Sequence, residues 1–315
     1  MRDPVSFSDL FNAWMYGGEQ VIKPEKLVPC DTSSVVLPHS KQGKSIKKQR
    51  NRDVFKQWLA MTDGRATYCL LGVENQGRIH YAMTIRNALY DIMSLVEQVE
   101  EIARERRRQG NKGASPDEFL GGFWKDDKVM PVITLVLYWG ADEWDAATDL
   151  HDLYSEADPV VMKYAMDYHM NLITPKDMTE ENLQSYHSNL RQVFTYIKYS
   201  KDKENLKRVT GSDPQYRNLE RRDVELINAV TNSNIKIPEG KERIDVCEAL
   251  EEMMADSRSE GRAEGRLASA ANTLSRYMRK NMPITADVLA DIAEDNEMSV
   301  DKVRSLAREK GISLA

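Results

Sequence analysis

The chain has 315 residues, 41% of them hydrophobic and 30% charged, with a mean hydropathy of -0.58; this is enough for one substantial core and a smaller second unit, and no apolar run approaches the roughly 20 residues that span a bilayer. A net charge of -6 argues against indiscriminate coating of polyanions, although local basic fields can still attract phosphate. Cys30, Cys69 and Cys247 are odd in number and far apart, which excludes a disulfide framework and a zinc site, and the acids and proline of Met1-Arg2-Asp3-Pro4 sit where a signal peptide would be basic and then apolar, so a cytoplasmic location is expected.

Leu10, Phe11, Trp14 and Met15 lie at helical spacing and Gly17-Gly18 stops the run, which predicts a helix over 7–20. Prolines and serines then break the chain, leaving Ser34-Val35-Val36-Leu37 as a short strand. Residues 52–58 and 68–74 flank Asp63-Gly64, a strong turn signal, and read as two antiparallel strands. Ile85, Leu89, Ile92, Met93, Val96, Val99 and Ile102 recur at offsets of three and four and define a long amphipathic helix over 82–109. Pro131 to Tyr138 is β-branched and apolar on both faces, the signature of a buried central strand. Mostly helical patterns follow, with a further strand within 168–173 and a helix pair over 177–198. The core is expected to end near Met254, and residues 255–315 to form a linker helix plus a small helical pair, the second helix capped by Ser299.

If the hairpin centres on Asp63-Gly64, paired positions sum to about 127, which sets Asp53 opposite Glu74. Side chains alternate along a strand, so Glu74 and Gln76 project together while Asn75 offers its backbone carbonyl. Two carboxylates and a main-chain carbonyl would supply the hard oxygen ligands that Mg²⁺ prefers, and phosphodiester hydrolysis is the matching chemistry. The blander reading makes both acids hydrogen-bonded or solvated sheet residues.

Over about residues 7–254 the chain resembles the Rpn family of recombination-promoting nucleases, transposase-like proteins of the PD-(D/E)XK superfamily. Carrying that resemblance are Arg52-Asp53-Val54, Asp63-Gly64-Arg65-Ala66, Leu70-Leu71-Gly72-Val73-Glu74-Asn75-Gln76, Tyr81-Ala82-Met83, Arg86-Asn87-Ala88-Leu89-Tyr90-Asp91 and Pro131 to Gly140. It implies an α/β restriction-endonuclease-like core with a mixed sheet flanked by helices, and cleavage of DNA dependent on Mg²⁺ or Mn²⁺. Asp53 would take the place of the motif's first Asp, Glu74 its second acid, and Gln76 the position usually held by Lys; an amide there can orient a water or phosphate but carries no charge. A third acid is often supplied by the first helix of this fold, and Asp9 or Glu19 would fill that role.

Lys41, Lys44, Lys47, Lys48, Arg50 and Arg52 precede Asp53 closely enough to guide a phosphate backbone, the alternative being a solvated loop. Arg86 and Tyr90, one turn apart, would contact a phosphate or pair with each other. Arg104, Arg106, Arg107 and Arg108 suit the C-terminus of the long helix, where cations complement its dipole. Lys302, Arg304, Arg308 and Lys310 leave the terminal pair open to DNA contact or to homo-oligomerisation. The expected function is a metal-dependent DNA endonuclease; the alternative is a non-catalytic DNA-binding or oligomeric protein that keeps the fold.

Overall fold

The structure, a computed structural model, describes residues 3–30, 33–36, 48–51, 53–62, 65–110, 113, 115–140, 142–156, 158–280, 282–309 and 311, without the side chains of 33–36, 48–51, 55, 58–62, 65–70 and 257. Chain contacts divide it into two units, Met1–Ile244 and Asp245–Ala315.

Helix α1 spans Pro4–Tyr16. It starts earlier than the apolar spacing alone predicts because the Asp3 side chain accepts from the Ser6 amide at 2.9 Å and Pro4 occupies the first turn, where a missing N–H costs nothing. Gly17 ends it at φ 60°, a left-handed conformation that glycine adopts without strain. After a 3-10 turn come β1 (Leu27–Pro29), then β2 (Ser33–Val36) and β3 (Lys48–Asn51), which form their own two-stranded ladder. Strands β4 (Val54–Thr62) and β5 (Arg65–Gln76) pair antiparallel from Val54↔Val73 to Thr62↔Arg65; Asp63 and Gly64, between them in sequence, lie outside the described residues.

Helix α2 (Met83–Arg108) crosses over, the short α3 (Pro116–Gly121) follows, and β6 (Val132–Tyr138) returns parallel to β5. Past α4 (Pro159–Met162), β7 (Asn171–Ile173) adds a second parallel pairing. The order β1-β4-β5-β6-β7 is therefore a five-stranded mixed sheet, antiparallel on one side of β5 and parallel on the other. Helices α5 (Glu180–Gln184), α6 (Leu190–Tyr199), α7 (Lys203–Ser212) and α8 (Arg221–Thr231) follow, with β8 (Leu219–Glu220) and β9 (Arg243–Ile244) pairing beside them.

Two layers cover the sheet. Against one face lies α2, whose Met83 packs on Val136 of β6 and whose Asp91 accepts from the Thr134 hydroxyl at 2.6 Å. Against the other lie α1 and α6: the Lys56 ammonium stands 4.6 Å above the Phe7 ring, and Trp139, just past β6, meets Phe194 at 5.6 Å between ring centroids. Burial lowers the pKa of Lys56, with the Asp3 carboxylate working against it. The apolar stripe that marks α2 in the sequence only partly faces the sheet: Ile85 is 51% and Val96 50% exposed, while Met93 of the stripe is buried together with Met83, Asn87, Tyr90 and Ser94.

Asp9, on α1, is buried and accepts from the amides of His187 and Ser188, both at 2.9 Å, and from the Ser188 hydroxyl at 2.6 Å. It thereby ties the first helix to the segment that leads into α6.

The second unit consists of α9 (Val246–Arg279), α10 (Ala286–Asp295) and α11 (Val300–Glu309). Its boundary falls at 244/245 and not at the anticipated 254/255, because α9 begins at an Asp245 cap and runs unbroken through Gly261 and Gly265. One glycine costs about 1 kcal/mol in a helix interior, too little to break one flanked by Ala, Glu and Arg. Ala270 and Leu274 of α9, Leu289 and Ile292 of α10, and Val303 and Ala307 of α11 make a core within this unit.

Replacing the buried Asp9 by Ala strands the amides of His187 and Ser188 and the Ser188 hydroxyl, and the Met1–Ile244 unit should lose about 2 kcal/mol in urea unfolding followed by circular dichroism. Leu274→Ala should cost about 3 kcal/mol in the second unit alone, read by hydrogen exchange as faster amides in α9 to α11 with β5 and β6 unchanged.

Candidate active site

The β4–β5 ladder sets the site's frame. Val54 pairs with Val73, numbers that sum to 127 as the hairpin reading requires, and the same register continued one residue beyond the ladder sets Asp53 against Glu74. Asp53 is exposed and precedes β4 directly; its Oδ2 accepts from the Asn75 amide at 2.7 Å. Asn75 has two further bonds besides: its N–H holds Asp53, while its side-chain Oδ1 accepts from the Trp139 ring N–H at 3.1 Å on the α1/α6 face.

Glu74 points the other way, beneath α2, and is 0% exposed. Strand alternation places Gln76 on the same face, half-buried, one step nearer the strand's end. From α2 the Arg86 guanidinium meets the buried carboxylate, Nη2 to Oε2 at 3.4 Å, and its Nε donates to the Tyr90 hydroxyl at 3.0 Å. The Arg86 side chain is 30% exposed, whereas Tyr90 is buried. Partial burial pulls the Arg86 pKa down, but the Tyr90 hydroxyl and the negative charges of Glu74 and Asp53 more than offset it, and the guanidinium titrates above its ordinary value.

Asp53, Glu74, Gln76, Arg86 and Tyr90 are thus gathered at the C-terminal end of β5 and the first turns of α2. The two acids of the first helix are not brought to them. Asp9 is engaged with His187 and Ser188 as described, and Glu19 lies exposed beyond the end of α1. Among the described residues no cluster of three His, Cys, Asp or Glu side chains is placed to hold a metal. Of the basic cluster, Lys48 and Arg50 fall on β3, paired with Val36 and Ser34, while Lys44, Lys47 and Arg52 lie outside the described residues. On α11, Arg304 pairs with Asp301 at 2.7 Å.

Behind Arg86 runs a polar chain with no assigned role in the sequence reading. Asn87 Nδ2 donates to the Tyr168 hydroxyl at 2.6 Å, that hydroxyl donates to Asp91 Oδ2 at 2.5 Å, and Asp91 Oδ1 receives the Thr134 hydroxyl. Asn87 and Asp91 are four apart on one helix face, a signal visible in the sequence, but Tyr168 and Thr134 come to them only through the crossover. The chain fixes the rotation of α2 and hence the approach of Arg86 to Glu74.

A carboxylate pair of one buried and one exposed acid supplies the hard oxygen atoms that Mg²⁺ takes up, and that ion is commonly held by one or two carboxylates together with a substrate phosphate. Asp53, Glu74 and the Asn75 carbonyl are the protein atoms that would hold such a cation.

Tyr168→Phe removes both of its hydroxyl's hydrogen bonds and should cost about 1.5 kcal/mol in chemical denaturation, with slower α2 reprotection rather than loss of the sheet in hydrogen exchange.

No protein-family model matches the chain, and comparison with curated proteins and with solved structures likewise gave no match.

Proposed function

We propose that the chain is a Mg²⁺- or Mn²⁺-dependent DNA endonuclease whose mixed sheet is a restriction-endonuclease-like, PD-(D/E)XK core. The observation that carries this reading is the placing of two acids at one end of the β4–β5 ladder, Glu74 buried beneath α2 and Asp53 held at the surface by the Asn75 amide. A buried carboxylate beside an exposed one at the open end of a strand is costly to maintain as structure alone and is suited to gripping a cation.

In this reading Asp53 and Glu74 bind the cation, and the Asn75 N–H keeps the Asp53 carboxylate from swinging into solvent. When bound, the cation supplies Lewis-acid polarisation of a phosphoryl oxygen and eases deprotonation of water. Gln76, on the Glu74 face, orients a water or a phosphate by hydrogen bonding. The lysines and arginines of 41–52 would carry the phosphate backbone toward Asp53.

Purified protein incubated with supercoiled plasmid and Mg²⁺ should nick or linearise it, and chelation should stop the reaction. Asp53→Asn and Glu74→Gln, checked for wild-type circular dichroism, should each slow cleavage by about a hundredfold or more. Cleavage that survives chelation, or that both variants leave untouched, rules out this site. Plasmid left intact, with gel shifts that fade steeply as salt rises, would point instead to a DNA-binding protein that keeps the fold without the chemistry, since phosphate contacts release counterions.

A further inference from the structure

We infer that Arg86, reaching down from α2, supplies to the scissile phosphate the positive charge that strand position 76 lacks. The inference rests on the phosphodiesterase reading and names a further catalytic group within it. Position 76 shares the Glu74 face but bears an amide, which is neutral at every pH. The Arg86 guanidinium meets the same carboxylate from the facing layer, 3.4 Å from Oε2.

Its attachment is suited to that task. The Nε is anchored on the hydroxyl of Tyr90, a residue 4% exposed, so the base of the fork is fixed within the fold. The bonds to Tyr90 and Glu74 use two of the guanidinium's five N–H donors, and with 30% of the side chain exposed the others can address a phosphate arriving from solvent. Tyr90 and Glu74, both buried, thus hold the partly exposed guanidinium between them.

The reaction assigns Arg86 no proton. As the water oxygen bonds to phosphorus and the bond from phosphorus to the leaving sugar oxygen breaks, negative charge builds on the non-bridging oxygens. The water's proton and the one the leaving oxygen takes up exchange with solvent. A permanently charged, forked donor is matched to that transient charge, and it would do from a helix what an ammonium does from a strand.

A charge swap tests this. Arg86→Gln should lower kcat on plasmid about a hundredfold at wild-type circular dichroism, and adding Gln76→Lys to it should return at least about tenfold of the loss. Arg104→Gln, which removes an exposed cation farther along the same helix, should change neither. In Ca²⁺, where binding is read without turnover, Arg86→Gln should weaken affinity for a short duplex and reduce the salt slope by about one. Wild-type kcat and affinity in Arg86→Gln overturn the inference, as does a double variant no better than Arg86→Gln. If the wild-type chain fails to cleave at all, the nuclease reading falls, and the Ca²⁺ binding comparison alone decides whether Arg86 holds a phosphate: equal affinities then dismiss it.

Discussion

A carboxyl group taken wholly out of water has to be met by cations and hydrogen-bond donors, and Glu74 imposes that requirement on everything packed above it. Helix α2 answers it by turning its polar residues inward. Arg86 meets the carboxyl and is itself held by the Tyr90 hydroxyl, and Asn87 and Asp91 continue the polar layer toward Tyr168 and Thr134. Ile85, Ile92 and Val96 are left exposed on the outer side, while Met83, Ala88 and Met93 share the inner face with these polar residues.

The opposite side of the sheet is built by ordinary means. Phe7, Leu10 and Phe11 of α1 and Phe194 and Ile197 of α6 are buried, and Trp139 joins that layer both through Phe194 and through its bond to Asn75. Asn75 therefore stands between two layers, its amide steadying Asp53 at the site and its side chain tied to an aromatic of the opposite face. Local chemistry at the strand's end and packing of the core are coupled through that one residue. Asp9 belongs to this structural side: its three hydrogen bonds to His187 and Ser188 make it a fastener between α1 and the approach to α6.

The second unit owes little to the polar logic of the first. It is a helical hairpin laid on the later turns of α9, closed by Leu274, Leu289, Ile292 and Val303, with Arg266 and Glu297 paired at its rim. No helix among the described residues of either unit is long and apolar enough to cross a membrane.

Much of this was written in local sequence. The Asp63-Gly64 signal and the period-two pattern around it fixed the register that sets Asp53 against Glu74, because hairpin pairing is determined by chain connectivity and a side-chain alternation of two. The α2 and β6 patterns likewise announced a helix and a buried central strand. What local sequence could not say is which way α2 is rotated, since a helix with apolar residues on one side and mixed polar residues on the other offers two faces, and the choice depends on Glu74 of β5 and on Tyr168 and Thr134 that meet it in the fold. Nor could it tell Asp9 the fastener from Asp9 the third acid, because its partners lie about 180 residues away and the distinction depends on chain segments meeting in space. The tail's linker helix, expected from residue 255, begins earlier, because a helix nucleated at the Asp245 cap runs on through Gly261 and Gly265 at small cost. Sequence determined the ladder and its two carboxylates; tertiary structure decided which charges and donors gather around them, because burial is a property of the assembled layers and not of any one element.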